Sequence, residues 1–202
     1  MNLGLENHLR SVMSELSPIP DAEWAYFWPN VQQRHVARGE HLFREGRAAL
    51  DMHFIVSGLV RLYHGGDGTE YVRGFDHEGR FVAMYESVLT GCPSRLNVQA
   101  LEPVHTLTFP GAVLLQCYER HRCWDRLGRR ILEFQWVRRQ DKEMRFRLYG
   151  PEEHYRLLIE RDSPLIGRVP LNQLASYLQI TPETLSRIRR RVNASREVAV
   201  DA

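Results

Sequence analysis

Several features of secreted and membrane proteins are scarce in this sequence. Its 202 residues include only three cysteines, Cys92, Cys117 and Cys123, which are too few for a disulfide framework and are typical of reduced cytosolic thiols. No apolar run approaches the roughly 20 residues that cross a bilayer. The opening residues also lack the basic and apolar segments of a secretory signal. We therefore expect a cytoplasmic protein without a membrane partner.

Residue patterns that carry catalysis or bind metals are also missing. No Ser/His/Asp or Cys/His set can be assembled from spacing alone. Cys117, His121 and Cys123 are close in sequence, but their spacing does not place all three on one face of a helix. The nine histidines form no H-x-H pair on a strand. We predict no catalytic residues, no metal site and no cofactor, and hence not an enzyme.

The net charge of +2 is too small to indicate a nucleic-acid partner by itself. The distribution of charge is more informative, because "ITPETLSRIRRR" (180–191) holds four arginines and a single acid. The stretch from Arg120 to Arg147 is also basic, with ten basic residues against four acids. A solvated helix face explains that longer stretch better than a binding patch does.

The middle of the chain has the pattern of an antiparallel β domain. Nine of the 14 glycines fall between Gly39 and Gly91, and short β-branched and aromatic runs lie between them. This pattern favours a β-roll or jelly roll over about residues 31–109. A long helix follows over residues 112–149, and its apolar groups lie on more than one side. Such a helix needs two partners, its own β domain and a second copy of itself.

A helix-turn-helix is indicated between residues 171 and 191. Leu174 and Ala175 lie on the apolar face of a two-turn helix, and Ala175 is small where a second helix must cross closely. Thr181 can cap the second helix, with Pro182 at its first position, where a missing N–H costs nothing. The sequence therefore predicts a second helix that begins at residue 182.

One position of the turn departs from the usual motif. Gln179 stands where a glycine usually provides a left-handed backbone conformation. A side chain there costs about 1 kcal/mol or less, so we expect a strained but intact turn.

The second helix has two unlike faces at 100° per residue, which is the arrangement that enters a major groove. Leu185, Ile188 and Val192 form its apolar side. Arg187 can bond the guanine edge and Glu183 can accept from cytosine N4, while neighbouring residues support them or contact phosphates. The predicted DNA-binding residues are Thr181, Glu183, Thr184, Ser186, Arg187, Arg189 and Arg190. The alternative is a helical hairpin of a core with an arginine-rich surface.

These segments together resemble the cyclic-AMP receptor protein/FNR superfamily of bacterial transcription regulators. "RGEHLFREG" (38–46) and "DMHFIVSGLVRLYH" (51–64) are similar to the opening strands of its cyclic-nucleotide-binding β-roll. "VPLNQLASYLQITPETLSRIRRR" (169–191) is similar to its terminal helix-turn-helix. The resemblance implies double-stranded DNA and a second copy of the chain as partners, with RNA polymerase and a small-molecule effector as further candidates.

The nucleotide pocket departs from the pattern of the ligand-binding members. Ala83 and Met84 stand where those members carry Gly-Glu for the ribose, and Ser94-Arg95 is displaced by one residue from their phosphate-binding Arg-Ser. A one-residue shift on a strand turns the guanidinium to the other face. The candidate effector pocket is therefore Tyr85, Glu86, Ser94 and Arg95. A structural Glu86–Arg95 ion pair is the alternative.

The sequence thus predicts an α+β protein. It consists of an antiparallel β-roll or jelly roll, a long dimerisation helix and a small winged-helix-like, helix-turn-helix DNA-binding domain with a short or absent wing. The expected domains are 1–111, 112–149 and 150–202. The expected function is a dimeric, sequence-specific DNA-binding transcription regulator that cyclic AMP does not control. The alternatives are a regulator gated by a cyclic nucleotide or another small ligand, and a ligand-binding or enzymatic β-roll whose tail is an interaction module.

Overall fold

The computed structural model describes the backbone of residues 3–66 and 68–200, while the side chains of residues 66, 69, 161–164 and 194–200 are outside the description. The described residues form two compact units. The first comprises residues 3–62 and 75–138, and the second comprises residues 63–74 and 139–200.

The strands form two four-stranded sheets. The order is β1-β8-β3-β6 in one sheet and β2-β7-β4-β5 in the other. The pairs β1–β8, β3–β8, β3–β6 and β2–β7 are antiparallel, as the glycine-separated runs predict. The strands are β1 (Gln32–Val36), β2 (His41–Phe43), β3 (Asp51–Ser57), β4 (Leu59–Gly66), β5 (Thr69–His77), β6 (Phe81–Ala83), β7 (Asn97–Ala100) and β8 (Val104–Pro110).

All the helices but α3 (Tyr85–Thr90), which lies between β6 and β7, flank these strands in sequence. None of the described helices is both long enough and apolar enough to cross a membrane. They are α1 (Leu3–Leu16), α2 (Asp21–Phe27), a short 3-10 helix (Trp28–Asn30), α3 (Tyr85–Thr90), α4 (Gly111–Arg120), α5 (Arg122–Leu148), α6 (Pro151–Arg168), α7 (Leu171–Tyr177) and α8 (Pro182–Val200).

The two sheets enclose an apolar core because alternate residues of each strand face inward. This core takes residues from seven strands, and Met84 and Leu62 pack against it. Its buried members are Val36, Leu42, Phe43, Ala49, Ile55, Val60, Val82, Val98, Ala100 and Val104. The fold class is therefore the predicted mixture of an antiparallel β-roll with helices at both ends of the chain.

A second core lies between the outer face of the first sheet and the surrounding helices. Phe54 of β3 and Phe109 of β8 supply the sheet side, while Phe27 of α2 and Trp124 of α5 supply the helix side. The Phe27 ring meets Phe109 at 4.9 Å and Trp124 at 5.1 Å between ring centroids. These aromatic contacts pack the first part of α5 against the β-roll.

The single helix expected over residues 112–149 is two helices. His121 adopts an extended conformation, with φ −155° and ψ 136°, and ends α4. The imidazole Nδ1 of His121 accepts a hydrogen bond from the Cys123 backbone N–H at 3.1 Å, so the side chain supports the first turn of α5. The sequence prediction was wrong here because neither glycine nor proline marks the break.

The compact units also divide the chain differently from the predicted domains, because residues 63–74 group with the C-terminal helices. The Ser176 hydroxyl of α7 explains this grouping. It accepts a hydrogen bond from the Val72 N–H at 3.1 Å and donates one to the Glu70 carbonyl at 3.0 Å. One side chain thus satisfies two backbone groups of β5, as a neighbouring strand would.

Candidate nucleic-acid interface

Helices α7 and α8 form the predicted helix-turn-helix. Leu174 and Ala175 of α7 are buried together with Leu185 and Ile188 of α8. The Ile180 N–H donates to the Ala175 carbonyl at 3.0 Å, which closes the turn over the small side chain of Ala175. The apolar faces therefore pack as their spacing predicts.

The cap of α8 has the predicted geometry. The Thr181 hydroxyl oxygen accepts a hydrogen bond from the Thr184 backbone N–H at 3.2 Å, and Pro182 is the first helical residue. This bond satisfies one of the backbone donors that every helix start leaves open. The start of α8 is therefore fixed by its own local sequence.

The turn carries the predicted strain. Gln179 has φ of 60° and is the sole non-glycine residue with positive φ in the described chain. Its N–H donates to the Ser176 carbonyl at 3.1 Å, so the left-handed conformation is held by a hydrogen bond on the preceding side. The motif therefore accommodates a glutamine at a position where glycine would adopt the left-handed conformation at the lowest energetic cost.

The outward face of α8 is exposed and charged. Glu183, Arg187 and Arg190 are exposed, whereas Ser186 and Arg189 are half-buried at the edges of that face. Hydrogen bonds from the Glu183 backbone N–H and the Thr181 hydroxyl, helped by the Arg187 charge, hold the pKa of the Glu183 carboxyl below its usual value. This face therefore presents one ionised acceptor among guanidinium donors.

The arginines of α8 differ in their availability. Arg187 and Arg190 form no ion pair with any residue in the described ranges. In contrast, Arg191 pairs with Glu152 of α6, with 2.9 Å between Nη2 and Oε2. The sequence pattern placed Arg191 on the flank of the helix but gave no sign of this partner, which is 39 positions away in the chain.

The chain beyond Arg191 continues the helix as far as Val200. The expected short or absent wing stays a prediction.

The four candidate effector residues each make contacts within the protein. The guanidinium of Arg95 pairs with the Glu86 carboxylate at 3.0 Å, and both side chains are more than half exposed. Ser94 is buried, and its hydroxyl donates to the Leu96 carbonyl at 2.7 Å, while the Tyr85 hydroxyl lies 3.5 Å from that of Tyr118. These contacts favour the structural alternative, an ion pair and a braced loop.

Comparison with known proteins identifies part of the chain. Residues 33–121 match the family model described as "Cyclic nucleotide-binding domain". A search of curated proteins finds no match.

The fold of the β-roll and the C-terminal helices recurs in solved structures. FixK2 from Bradyrhizobium japonicum is similar at a TM-score of 0.68 and 19% identity, over 82% of this chain and 85% of that one. The c-di-GMP responsive global regulator CLP from Xanthomonas campestris gives 0.64 and 16%, over 87% and 93%. The Thermus thermophilus catabolite activator protein gives 0.53 and 17%, over 88% and 85%. These matches show that the chain shares the fold of these proteins.

The β-roll also contains a buried polar group that the sequence did not single out. His53 is fully buried in β3, and its Nδ1 lies 2.7 Å from the Thr108 hydroxyl. Burial, with the Arg34 charge, lowers the pKa of His53 to about 3. The imidazole is therefore neutral. The sequence indicated its burial only through the place of His53 in the apolar run of β3.

Two of the three cysteine thiols lie in the interior of the protein. Cys117 and Cys123 are buried and form no disulfide, so they are thiols of the protein core. Burial raises the pKa of Cys117 to about 12, so it is not a ready nucleophile. Among the described residues, no group of three His, Cys, Asp or Glu side chains is placed to hold a metal ion.

Proposed function

We propose that the chain is a dimeric, sequence-specific DNA-binding transcription regulator. The observation that carries this proposal is the two-faced structure of α8. Its apolar side is sealed by Leu185 and Ile188, while Glu183, Arg187 and Arg190 remain open on the other side. The similarity in fold to FixK2 and to the global regulator CLP supports a regulator role.

In this proposal Arg187 and Glu183 read base edges in the major groove. Arg187 donates to O6 and N7 of a guanine, and the ionised Glu183 accepts from N4 of a cytosine. Arg190 and Ser186 support this readout. Thr181, Thr184 and Arg189 lie around the helix start and its flank, where phosphate contacts set the register of the helix on DNA.

The test is selection of binding sites from random duplexes by the intact chain and by Arg187→Ala. We expect the variant to lose discrimination at one base pair of each half-site by about 1–3 kcal/mol. Arg44→Ala, a change at an exposed arginine outside the helix-turn-helix, is the control for loss of one positive charge. Equal sequence preference in all three proteins would remove Arg187 from base readout.

Dimerisation is proposed from the exposed face of α5. Phe134, Val137, Met144 and Leu148 recur at intervals that fit a heptad seam, and each keeps about half or more of its surface exposed. Asp141 occupies the remaining seam position and pairs with Arg145 at 3.0 Å. A second copy of α5 would cover this face and set two α8 helices about 34 Å apart, on successive turns of an inverted repeat.

Sedimentation of Val137→Asp tests this surface, because a buried unpaired carboxylate at the seam opposes association. Gln135→Asp adds the same charge on the opposite side of the helix and is the matched control. We expect the first variant to be monomeric and the second to sediment as the parent protein does. A dimer that survives Val137→Asp would contradict the proposed seam.

Independence from cyclic AMP is also a proposal. It is supported by Ala83 and Met84 at the ribose positions and by Arg95, whose charge is engaged by Glu86 at the surface. A cyclic phosphate without a paired cation would be costly to bury. Calorimetry with cyclic AMP and cyclic GMP tests this, and saturable micromolar binding of either would support the ligand-gated alternative instead.

A ligand-binding or enzymatic roll is the other alternative. An ordered ligand in the roll together with no sequence-selective DNA binding would favour it. The cytoplasmic location, the RNA polymerase contact and the effector remain predictions.

A further inference from the structure

A buried histidine, His154 of α6, lies inside the second compact unit. Its ring meets that of Phe146, near the end of α5, edge-on at 4.4 Å between centroids. It also lies 6.0 Å from the ring of Tyr177 of α7, and Phe146 and Tyr177 meet each other at 5.8 Å. Three rings from three helices therefore form one aromatic joint between α5 and the helix-turn-helix.

The surroundings of His154 suit a neutral imidazole. Its side chain is 2% exposed, and its Nε2 atom is buried without a hydrogen-bond partner among the described residues. Both nitrogens of a protonated imidazole are donors, whereas the neutral ring can keep its proton on Nδ1. Uptake of a proton would therefore leave a buried N–H without an acceptor, which is costly.

The charged groups of α5 that face His154 also oppose protonation. Arg145 and Lys142 both place positive charge near the imidazole, and Arg145 pairs with Asp141 at 3.0 Å. Burial, followed by the charges of Arg145 and Lys142, lowers the pKa of His154 below its usual value.

The other two helices of the aromatic joint offer no compensating negative charge. The acid in the same turn of α6, Glu152, pairs with Arg156 and Arg191. On α7 the facing group is the Tyr177 ring. No carboxylate in the described part of the chain forms an ion pair with His154.

The aromatic faces are already approached by another cation. The Lys142 ammonium lies 4.6 Å from the Tyr177 centroid and 5.6 Å from the Phe146 centroid. A protonated His154 would be a second positive charge at the same two rings, so cation–π attraction would not offset its burial.

From this arrangement we propose that His154 is a pH-sensitive joint between the end of α5 and the helix-turn-helix. While the imidazole is neutral, the three rings pack and hold α6 and α7 on α5. When the imidazole takes up a proton, it leaves the apolar contact for solvent, and α6 and α7 separate from Phe146.

This device does not depend on the proposed DNA recognition. If the chain binds DNA as proposed, opening of the joint would lower the affinity at acid pH, because the helix-turn-helix would no longer be held in one orientation. That consequence alone rests on the proposed function.

The direction of the pH effect follows from the lowered pKa of His154 in the closed form. In the open form the imidazole is in water and titrates near its usual value of about 6.5. Above that pH both forms are neutral, and the joint has its full stability. Below it the open form gains protons first, so the ratio of open to closed forms rises by up to about tenfold per pH unit until the pKa of the closed form is reached.

Hydrogen exchange of the full chain, followed on the amides of α6 and α7 at about pH 7.5 and pH 5.5, tests the proposal. Protection factors, corrected for the intrinsic exchange rate, should fall by up to about tenfold in the parent protein between these pH values. His154→Phe keeps a ring in the joint and cannot titrate, so its protection factors should be the same at both.

Two variants separate this joint from other histidines. His64→Gln removes an exposed histidine of the same unit and should leave the pH dependence of α6 and α7 unchanged. His53→Gln removes a buried histidine of the first unit and should also leave it unchanged, which distinguishes the joint from acid sensitivity of the β-roll.

NMR titration of the His154 imidazole needs no variant, and its pKa should lie below about 6.5. A pKa at or above that value would overturn the proposal, as would an equal loss of protection in the parent protein and in His154→Phe. Neither measurement uses DNA, so failure of the proposed DNA recognition would not change their result.

Discussion

The two halves of α5 are built from similar residues but have opposite surroundings. Trp124 and Leu127 in the first half are fully buried against the roll. Trp136 and Val137 in the second half are 63% and 64% exposed. The helix therefore changes from a core element to a surface element within about three turns.

This difference shows what hydrophobic spacing does and does not encode. Periodic apolar residues indicate that a face favours burial, because each Å² of apolar surface removed from water contributes about 25 cal/mol. The spacing does not indicate which surface covers that face. In the first half the cover is Phe27 and its neighbours in the same chain, and for the second half we propose a second copy.

The sharpest test of the comparison replaces a tryptophan in each half. Trp124→Ala is expected to lower the free energy of unfolding by about 3–5 kcal/mol, because it leaves a cavity beside Phe27. Trp136→Ala should change it by about 0.5 kcal/mol or less, because that ring lies mostly in solvent. Urea denaturation measures both, with Trp124→Phe as a milder variant. Similar losses at the two positions would contradict the comparison.

Acid pH should weaken the sheet that covers the first half. Burial lowers the pKa of His53 to about 3, and burial and His35 lower that of His105. Below the unfolded value of about 6.5 the unfolded chain takes up protons that the folded chain cannot, so their contribution is complete above pH 6.5 and is lost as pH falls. For His53 the slope is about 1.4 kcal/mol per pH unit between these two pKa values.

Urea denaturation at about pH 6.5 and pH 5 measures this loss, which should reach about 2 kcal/mol for His53 alone. His53→Gln is the informative variant, because it removes the titrating group while keeping a polar side chain next to Thr108. It should be less stable than the parent protein at neutral pH but lose less on acidification. An unchanged difference between the two pH values would exclude His53 as a source of the acid sensitivity.

The helix-turn-helix could be predicted in detail because its determinants are local. The cap at Thr181, the start at Pro182 and the strain at Gln179 each depend on residues within one or two turns. The apolar face of α8 follows from 3.6-residue spacing in the same way. The roles of its outward residues on DNA depend on a partner, and they remain predictions.

Non-local contacts explain what the sequence did not reveal. The hydrogen bonds of Ser176 join groups 104 and 106 positions apart. The break at His121 is a local exception: its side chain accepts a hydrogen bond from the N–H of Cys123, two residues later, and no glycine or proline marks it. A cleft beside the turn of the helix-turn-helix brings Arg73 of β5 next to Arg139 of α5, 66 positions later in the chain, so counting charges along the sequence could not find it.

The smallest expected change in the free energy of unfolding concerns two helical glycines. One is packed against other atoms and the other has free space around it, which is the difference between the two halves of α5. An alanine Cβ at Gly128, in the buried half, would lie 2.4 Å from the Tyr118 Oη and 2.8 Å from its Cζ, whereas at Gly167 of α6 no atom lies within 4 Å. Alanine gains about 1 kcal/mol over glycine in a helix, but overpacking costs about 1–3 kcal/mol. We therefore expect Gly128→Ala to destabilise by about 1 kcal/mol and Gly167→Ala to stabilise by a similar amount or less. Thermal or urea denaturation separates the two signs, and a stabilising Gly128→Ala would mean that Tyr118 moves aside and that the packing around the first half of α5 is looser than its burial indicates.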